Sequence, residues 1–320
     1  MSTYYQIFGG KVNVVASDPS NPINGQVWYN STSKVVKFRE ASVAGAWATG
    51  GNMGTARRLL GGAGTQTSAA GFGGYTTANT VATEEYNGAS WTAGGNMGTA
   101  RRILGGCGTQ TAALGFGGYL PPSTAATEEY DGTSWTAGGN LSTARFTLGS
   151  AGTQTAALGF GGYIGPNTNV TEEYNGTSWT SGGNLGTTRR ALGGAGIQTS
   201  ALGFGGFTTA VTNVTEEYDG TSWTAGGNMN TARRDLGGAG TQTAGLGFGG
   251  YATANTNATE EYNGTSWTAG GNLGTTRQSL GGAGIQTSAL GFGGFTTVAV
   301  ANTEEYSGAG TQTTKTVSAT

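Results

Sequence analysis

Six Glu-Glu pairs stand 44 residues apart, at Glu84-Glu85, Glu128-Glu129, Glu172-Glu173, Glu216-Glu217, Glu260-Glu261 and Glu304-Glu305. They account for 12 of the 17 acidic residues; Asp18, Glu40, Asp131, Asp219 and Asp235 are the others. Six arginines keep the same step: Arg57, Arg101, Arg145, Arg189, Arg233 and Arg277. A second arginine follows in four repeats and is replaced by Phe146 and Gln278 in two. A circle of guanidiniums would suit an anion or an acidic ligand at a channel mouth. Paired carboxylates would suit acid/base work. Neighbouring residues on a strand point to opposite faces, however, so the two carboxylates of one pair cannot converge on one bond. Binding sites on repeat rings are asymmetric, whereas this set is copied in every repeat. The arginines are therefore read as structural partners of the glutamates.

Other reactive groups are few. The chain has no histidine, which excludes histidine metal sites and Ser-His or Cys-His catalysis. Its one cysteine, Cys107, can form no intrachain disulfide. Cys107 stands where other repeats have Ala63, Ala151, Ala195, Ala239 and Ala283, so it reads as the filling of a small buried slot. Gly62-Ala-Gly64 lacks the helix a phosphate loop requires. Asp131-Gly-Thr-Ser-Trp135 is similar to the Asp-box of sialidases, but the spacing differs and only two repeats carry the aspartate. No catalytic residue, metal ligand or cofactor is expected.

The elements that must carry these residues follow from composition and repetition. Glycine supplies 64 of 320 residues, and only 10% are charged. Net charge is -2, with 11 Phe, 13 Tyr and 7 Trp, which excludes ordinary disorder. Five prolines exclude collagen. A pI near 5.3 argues against a nucleic-acid partner. No apolar run approaches a membrane span. The N-terminal residues lack a basic region before an apolar core, so no secretion signal is expected.

Six tryptophans, Trp47, Trp91, Trp135, Trp179, Trp223 and Trp267, follow the 44-residue step, as do G-F-G-G and E-E-Y. Glycine-rich repeats with abundant Thr and aromatics, and no run of good helix formers, favour strands. Four strands per repeat are expected. The first starts near Arg57 and covers Arg-Leu-Leu-Gly-Gly; the next two span Ser68 to Tyr75 and Val81 to Tyr86; the fourth carries Trp91. Asn87-Gly88 and its counterparts supply a hairpin turn.

A glycine pair, a tyrosine a dozen residues on, a tryptophan five residues later, then Thr-x-Arg: this pattern resembles the kelch repeat over about residues 46–306. The resemblance implies a β-propeller with one blade per repeat. It departs from the common kelch pattern in lacking a histidine after the arginine and in its short polar loops. The sixth repeat has no tryptophan of its own, so Trp47 is expected to complete it and close a six-bladed ring. The expected fold class is all-β: a six-bladed kelch-like propeller over residues 46–307, a small N-terminal β-hairpin module over 1–45 and a C-terminal tail over 308–320. The tail repeats Gly62–Thr67 as Gly308–Thr313, so it forms an extra strand or runs outward.

Gly25-Gln-Val-Trp-Tyr-Asn30, a polar turn and Val35-Val-Lys-Phe-Arg39 read as a hairpin. This short module resembles those of bacteriophage tail fibres and other virion proteins. The resemblance implies a virion structural or attachment protein, in tail or head. Release by lysis would suit an exterior composition with no secretion signal. Trp28, Tyr29, Lys37 and Arg39 would dock the module to other virion proteins. The most variable stretch follows G-F-G-G, and its loops are expected to share one face: Thr76 to Asn79, Leu120 to Ser123, Ile164 to Asn167, and the stretches beginning at Thr208, Ala252 (to Asn255) and Thr296. These loops would face a host glycan or protein, or neighbouring copies of a homo-oligomeric or multicopy protein. Neutral drift in loops accounts for them equally. A decoration protein without a receptor role and an intracellular kelch interaction module are the alternatives. A galactose-oxidase or sialidase type of enzyme is disfavoured by the missing histidine and the lack of an asymmetric cluster.

Overall fold

The computed structural model describes residues 6–7, 10–19, 26–39, 45–308 and 314–317. The described residues are all β, with no helix. They fall into two compact units, Ala46–Gly308 and Met1–Gly45 with Ala309–Thr320.

In the larger unit each repeat forms a four-stranded antiparallel sheet. In the first, Gly61–Thr65, Ser68–Phe72, Thr83–Tyr86 and Trp91–Ala93 pair in chain order. Repeats two to five do the same. The sixth sheet takes Gly281–Ile285, Ser288–Phe292 and Thr303–Ser307, then Ala46–Thr49 from the other end of the unit. Tyr306 lies opposite Trp47 in the register that sets Tyr262 opposite Trp267. This series of sheets is consistent with a β-propeller.

The first and third strands start later than expected, the first also runs on to Thr65, and the second ends earlier. The first is Gly61–Thr65, because Leu59 adopts φ 59° and breaks the extended run after the arginines. The second stops at Phe72, because Gly73 and Gly74 both turn to positive φ. The third begins at Thr83.

No sheet has a core of its own. Ala195, Leu202 and Phe204 of repeat four pack with Met229, Leu236, Tyr262 and Trp267 of repeat five. The Phe204 and Trp267 rings lie 4.9 Å apart. Each sheet thus buries its apolar face on the next, as stacked repeats do. First strands of adjacent repeats run close together. A Cβ on Gly62 would sit 2.7 Å from Gly282 O and 2.9 Å from Phe292 Cζ; at the same place in repeat three Ser150 is accommodated, its hydroxyl donating to Gly106 O.

In the smaller unit Asn13–Val15, Val27–Asn30, Val35–Arg39 and Thr314–Val317 form a four-stranded sheet whose first pair is parallel. The hairpin Val27–Arg39 lies where the turn chemistry put it. The tail does not stand apart: Thr314–Val317 is the fourth strand of this sheet. Asp18 anchors the unit. Its carboxylate accepts hydrogen bonds from Lys37 Nζ (2.7 Å), Asn30 Nδ2 (2.8 Å) and Trp28 Nε1 (3.1 Å), which hold its pKa down to about 2.

Because Trp47 occupies the place that Trp267 holds in repeat five, Trp47→Ala should cost about 3 kcal/mol in chemical denaturation. A loss below about 0.5 kcal/mol, the value of a surface change, would remove Trp47 from that sheet.

Candidate functional site

The six first-position arginines do not form a ligand ring. All six are fully buried. Arg101 Nη1 donates to Ala126 O (2.6 Å) and Gly117 O (3.3 Å), and Nη2 to Gly115 O (3.1 Å). Nη2 also lies 3.1 Å from Glu128 Oε1. The other oxygen of Glu128 accepts from Gly98 N at 2.6 Å. Arg101 O in turn accepts from Gly74 N of the preceding repeat. Backbone and side chain of one residue thereby join two repeats. Burial draws the guanidinium pKa down, and Glu128 opposes that shift.

The two glutamates of each pair diverge. Glu128 goes inward to Arg101, whereas Glu129 Oε1 accepts from Tyr174 OH of the next repeat at 2.6 Å. Tyr130 reaches back to Glu85 in the same way, also at 2.6 Å, and accepts from Gly95 N. Trp135 Nε1 donates to Thr83 Oγ1 (2.9 Å), and Gln110 Nε2 to Ala69 O and Tyr86 O. Between repeats six and one, Tyr86 pairs with Glu305, Trp91 with Thr303, and Gln66 with Ala289 O and Tyr306 O. Asp131 accepts from Thr133 N and Ser134 N and so closes a turn. Cys107 is buried, which pushes its thiol up to about 12 and keeps it protonated. Among the described residues no group of His, Cys, Asp or Glu could hold a metal ion.

The second arginines carry a feature that repeat arithmetic did not reveal. Arg102 Cζ lies 4.6 Å from the Tyr75 ring centre and 4.9 Å from that of Tyr119. Arg58 stacks between Phe295 and Tyr75, Arg190 between Tyr163 and Phe207, and Arg234 between Phe207 and Tyr251. Phe146 fills the same place between Tyr119 and Tyr163. A belt of alternating rings and guanidiniums results, with Gln278 in the remaining place. Each cation–π contact contributes about 0.5–1 kcal/mol at such half-exposed sites.

The variable loops lie beside this belt, since Tyr75 and its counterparts bridge to the residues after the first arginines. Their residues divide by role. Asn79, Asn167 and Asn255 clamp the following repeat: Asn167 Nδ2 donates to Phe207 O and Thr208 O, and Asn255 Nδ2 to Phe295 O and Thr296 O. Asn79 and Asn167 also accept from Arg102 and Arg190. Leu120 and Ile164 are exposed, while Thr76, Ser123, Thr208, Ala252 and Thr296 are half-buried. In the smaller unit Trp28 is fully buried, so its side chain cannot reach a docking partner; it packs the hairpin instead. Tyr29 is half-buried and Lys37 is paired with Asp18. The side chain of Arg39 lies outside the described residues.

Inside the belt is a mouth of about 90 Å³ lined by Leu59, Ile103, Thr147, Ala191, Asp235 and Ser279 and by the leucine that follows each. These six are joined through the backbone. Ile103 N donates to Leu59 O, Thr147 to Ile103, Ala191 to Thr147, Asp235 to Ala191, Ser279 to Asp235, and Leu59 to Ser279, over 2.8–3.1 Å. The series returns to its start. All six hold φ between 53° and 59°. That region costs a residue with a side chain about 1–3 kcal/mol. Beyond the leucines a second cavity of about 130 Å³ is lined by the glycines of the first strands and Ser150. Asp235 pairs with Arg234 at 3.1 Å. Burial pushes its carboxyl pKa up against the pull of Arg234 and Arg190. The signal for this mouth was present in the sequence, as the one repeat position where all six copies differ.

No protein-family model matches the chain, and no curated protein matches it.

Arg145→Ala should cost about 3–5 kcal/mol, because it leaves Glu172 buried without its cation. Thermal denaturation measures this; a cost within 0.5 kcal/mol would mean the pair holds nothing together. A pH dependence follows from the tyrosines. Burial, with the hydrogen bond to a glutamate, pushes Tyr86, Tyr130, Tyr174, Tyr218 and Tyr262 up to about 12, and Tyr306 higher. In the unfolded chain they ionise near their ordinary value of about 10. The stability they contribute is complete below pH 10 and is lost as pH rises from 10 through 12. Tyrosinate absorbance should therefore show six of the 13 tyrosines ionising together with loss of structure. Independent titration of all 13 near pH 10 in the folded protein would contradict this.

Proposed function

We propose that the larger unit is a closed six-bladed kelch-like propeller and that the protein is a bacteriophage virion structural and attachment protein, part of a tail or head fibre. The backbone hydrogen bonds that run through all six repeats and return to Leu59 support closure. The observation that carries the functional reading is where the repeats differ. Scaffold positions such as the first arginine, both glutamates, the tyrosine and the tryptophan partner are copied throughout, while variation gathers at the mouth and the loops beside it. A rigid frame with one varied face suits presentation to a host-surface glycan or protein. The smaller unit, which gathers both chain ends, is the docking part toward other virion proteins, with the protein in many copies per particle.

Mass spectrometry of particles purified from an infected culture should detect the chain at many copies. A chain cut to residues 46–308 retains every strand of the larger unit and should stay soluble but fail to join particles. If that fragment incorporates as the full chain does, the blades themselves dock, and a decoration protein is the better reading. Absence of the chain from particles would leave the intracellular interaction module.

A further inference from the structure

Two adjacent positions of the repeat behave in opposite ways. Leu60, Leu104, Leu148, Leu192, Leu236 and Leu280 are identical, as packing in a symmetric channel requires. The residue before each is Leu59, Ile103, Thr147, Ala191, Asp235 or Ser279, six different side chains in the same backbone conformation. That conformation favours glycine. Every other positive-φ residue described in the larger unit is a glycine. Ile103 and Thr147 are β-branched, the worst type for this region. Six residues held there against strain, unlike one another and all lining one cavity, point to a role for what they present.

The order of the six gives the mouth two sides. Leu59 and Ile103 are neighbours in the hydrogen-bonded series, and three steps on from Ile103 stands Asp235, followed by Ser279. Leu59 and Ile103 thus form an apolar arc, and Asp235 and Ser279 a polar arc that adjoins it at Leu59. Asp235 Oδ2 and Arg234 Nη1 are 3.1 Å apart, an acceptor and a donor side by side. Their charges offset, which disfavours a carboxylate or phosphate ligand at this point. The Ser279 hydroxyl has no hydrogen-bond partner among the described residues.

We propose that this mouth binds the terminal pyranose of a neutral glycan. The proposal rests on the host-glycan reading above and names its site. A sugar hydroxyl donates to Asp235, whose carboxylate Arg234 holds from the belt, a neighbouring hydroxyl meets Ser279, and the C–H face of the ring lies on Leu59 and Ile103. A cavity of about 90 Å³ takes an edge of one ring, so a chain end is recognised.

The test is saturation-transfer NMR on the full chain with methyl glucoside, galactoside, mannoside and N-acetylglucosaminide, beside N-acetylneuraminic acid and inorganic phosphate. At least one neutral glycoside should receive saturation. Asp235→Gly and Ser279→Gly should reduce that signal about tenfold or more. Leu59→Gly and Ser279→Gly should leave Tm unchanged or raise it, because glycine relieves the strained conformation. Leu120→Ser and Ile164→Ser, in the loops, should leave the signal intact. Signal that survives the mouth variants but is lost in the loop variants overturns the mouth and keeps the glycan reading. Binding of the acidic probes alone overturns a neutral ligand. A fall in Tm with glycine shows these side chains to be structural and overturns the proposal. No saturation of any neutral glycoside overturns the mouth and the glycan reading together, while membership of the particle stands on the mass-spectrometric result.

Discussion

The larger unit depends on a buried ion pair used six times. A guanidinium is costly to remove from water, and each one here is compensated by a carboxylate and by carbonyls at strand ends. The arginine thereby adds a buried polar joint beside the apolar cluster between each pair of repeats. Glycine-rich strands offer little apolar area, but they expose carbonyls that a five-donor group can gather. The same glutamate holds the preceding loop through Gly98 N and its counterparts. Removing either charge leaves the other buried, so breaking the pair costs more than the intact pair adds in net stability.

Much of this frame was legible from spacing. The 44-residue step, the missing sixth tryptophan and the Asn-Gly turns led to four strands per repeat and to Trp47 beside Tyr306. The divergence of each Glu-Glu pair follows from strand geometry alone. What escaped was set by conformation that residue type does not announce. Nothing about Leu59 or Ile103 signals a positive φ, so the first strand was placed too early. Trp28 looked available for docking because its hydrogen-bond partner, Asp18, is ten residues away in sequence. The stacked belt depends on neighbours 44 residues apart presenting a ring and a guanidinium at one height, which appears only when the repeats are set side by side.

The site and the frame differ in how they use repetition. At the frame, copying makes every joint satisfy the same hydrogen bonds. At the mouth, the circle of backbone bonds keeps six positions equivalent while their side chains differ. Because main-chain groups make those bonds, exchange of a side chain leaves the circle unchanged. Variation there leaves those hydrogen bonds in place, and each non-glycine residue carries the strain of its conformation.

The pairing of Ala46–Thr49 with Thr303–Ser307 also has a consequence in time. During synthesis Ala46–Thr49 emerges first among the strands of its unit and its partner last. At roughly 5–20 residues per second the interval is on the order of tens of seconds. Through that interval the strand meets five third strands of nearly the same sequence, any of which could accept it. What protects the register is locality. Thr83–Tyr86 reaches its own Trp91 strand through a short Asn-Gly turn, and such a hairpin closes in microseconds. Each early site is filled by its own chain before a distant strand can diffuse to it, and the place left for Trp47 is the one whose local tryptophan was never encoded.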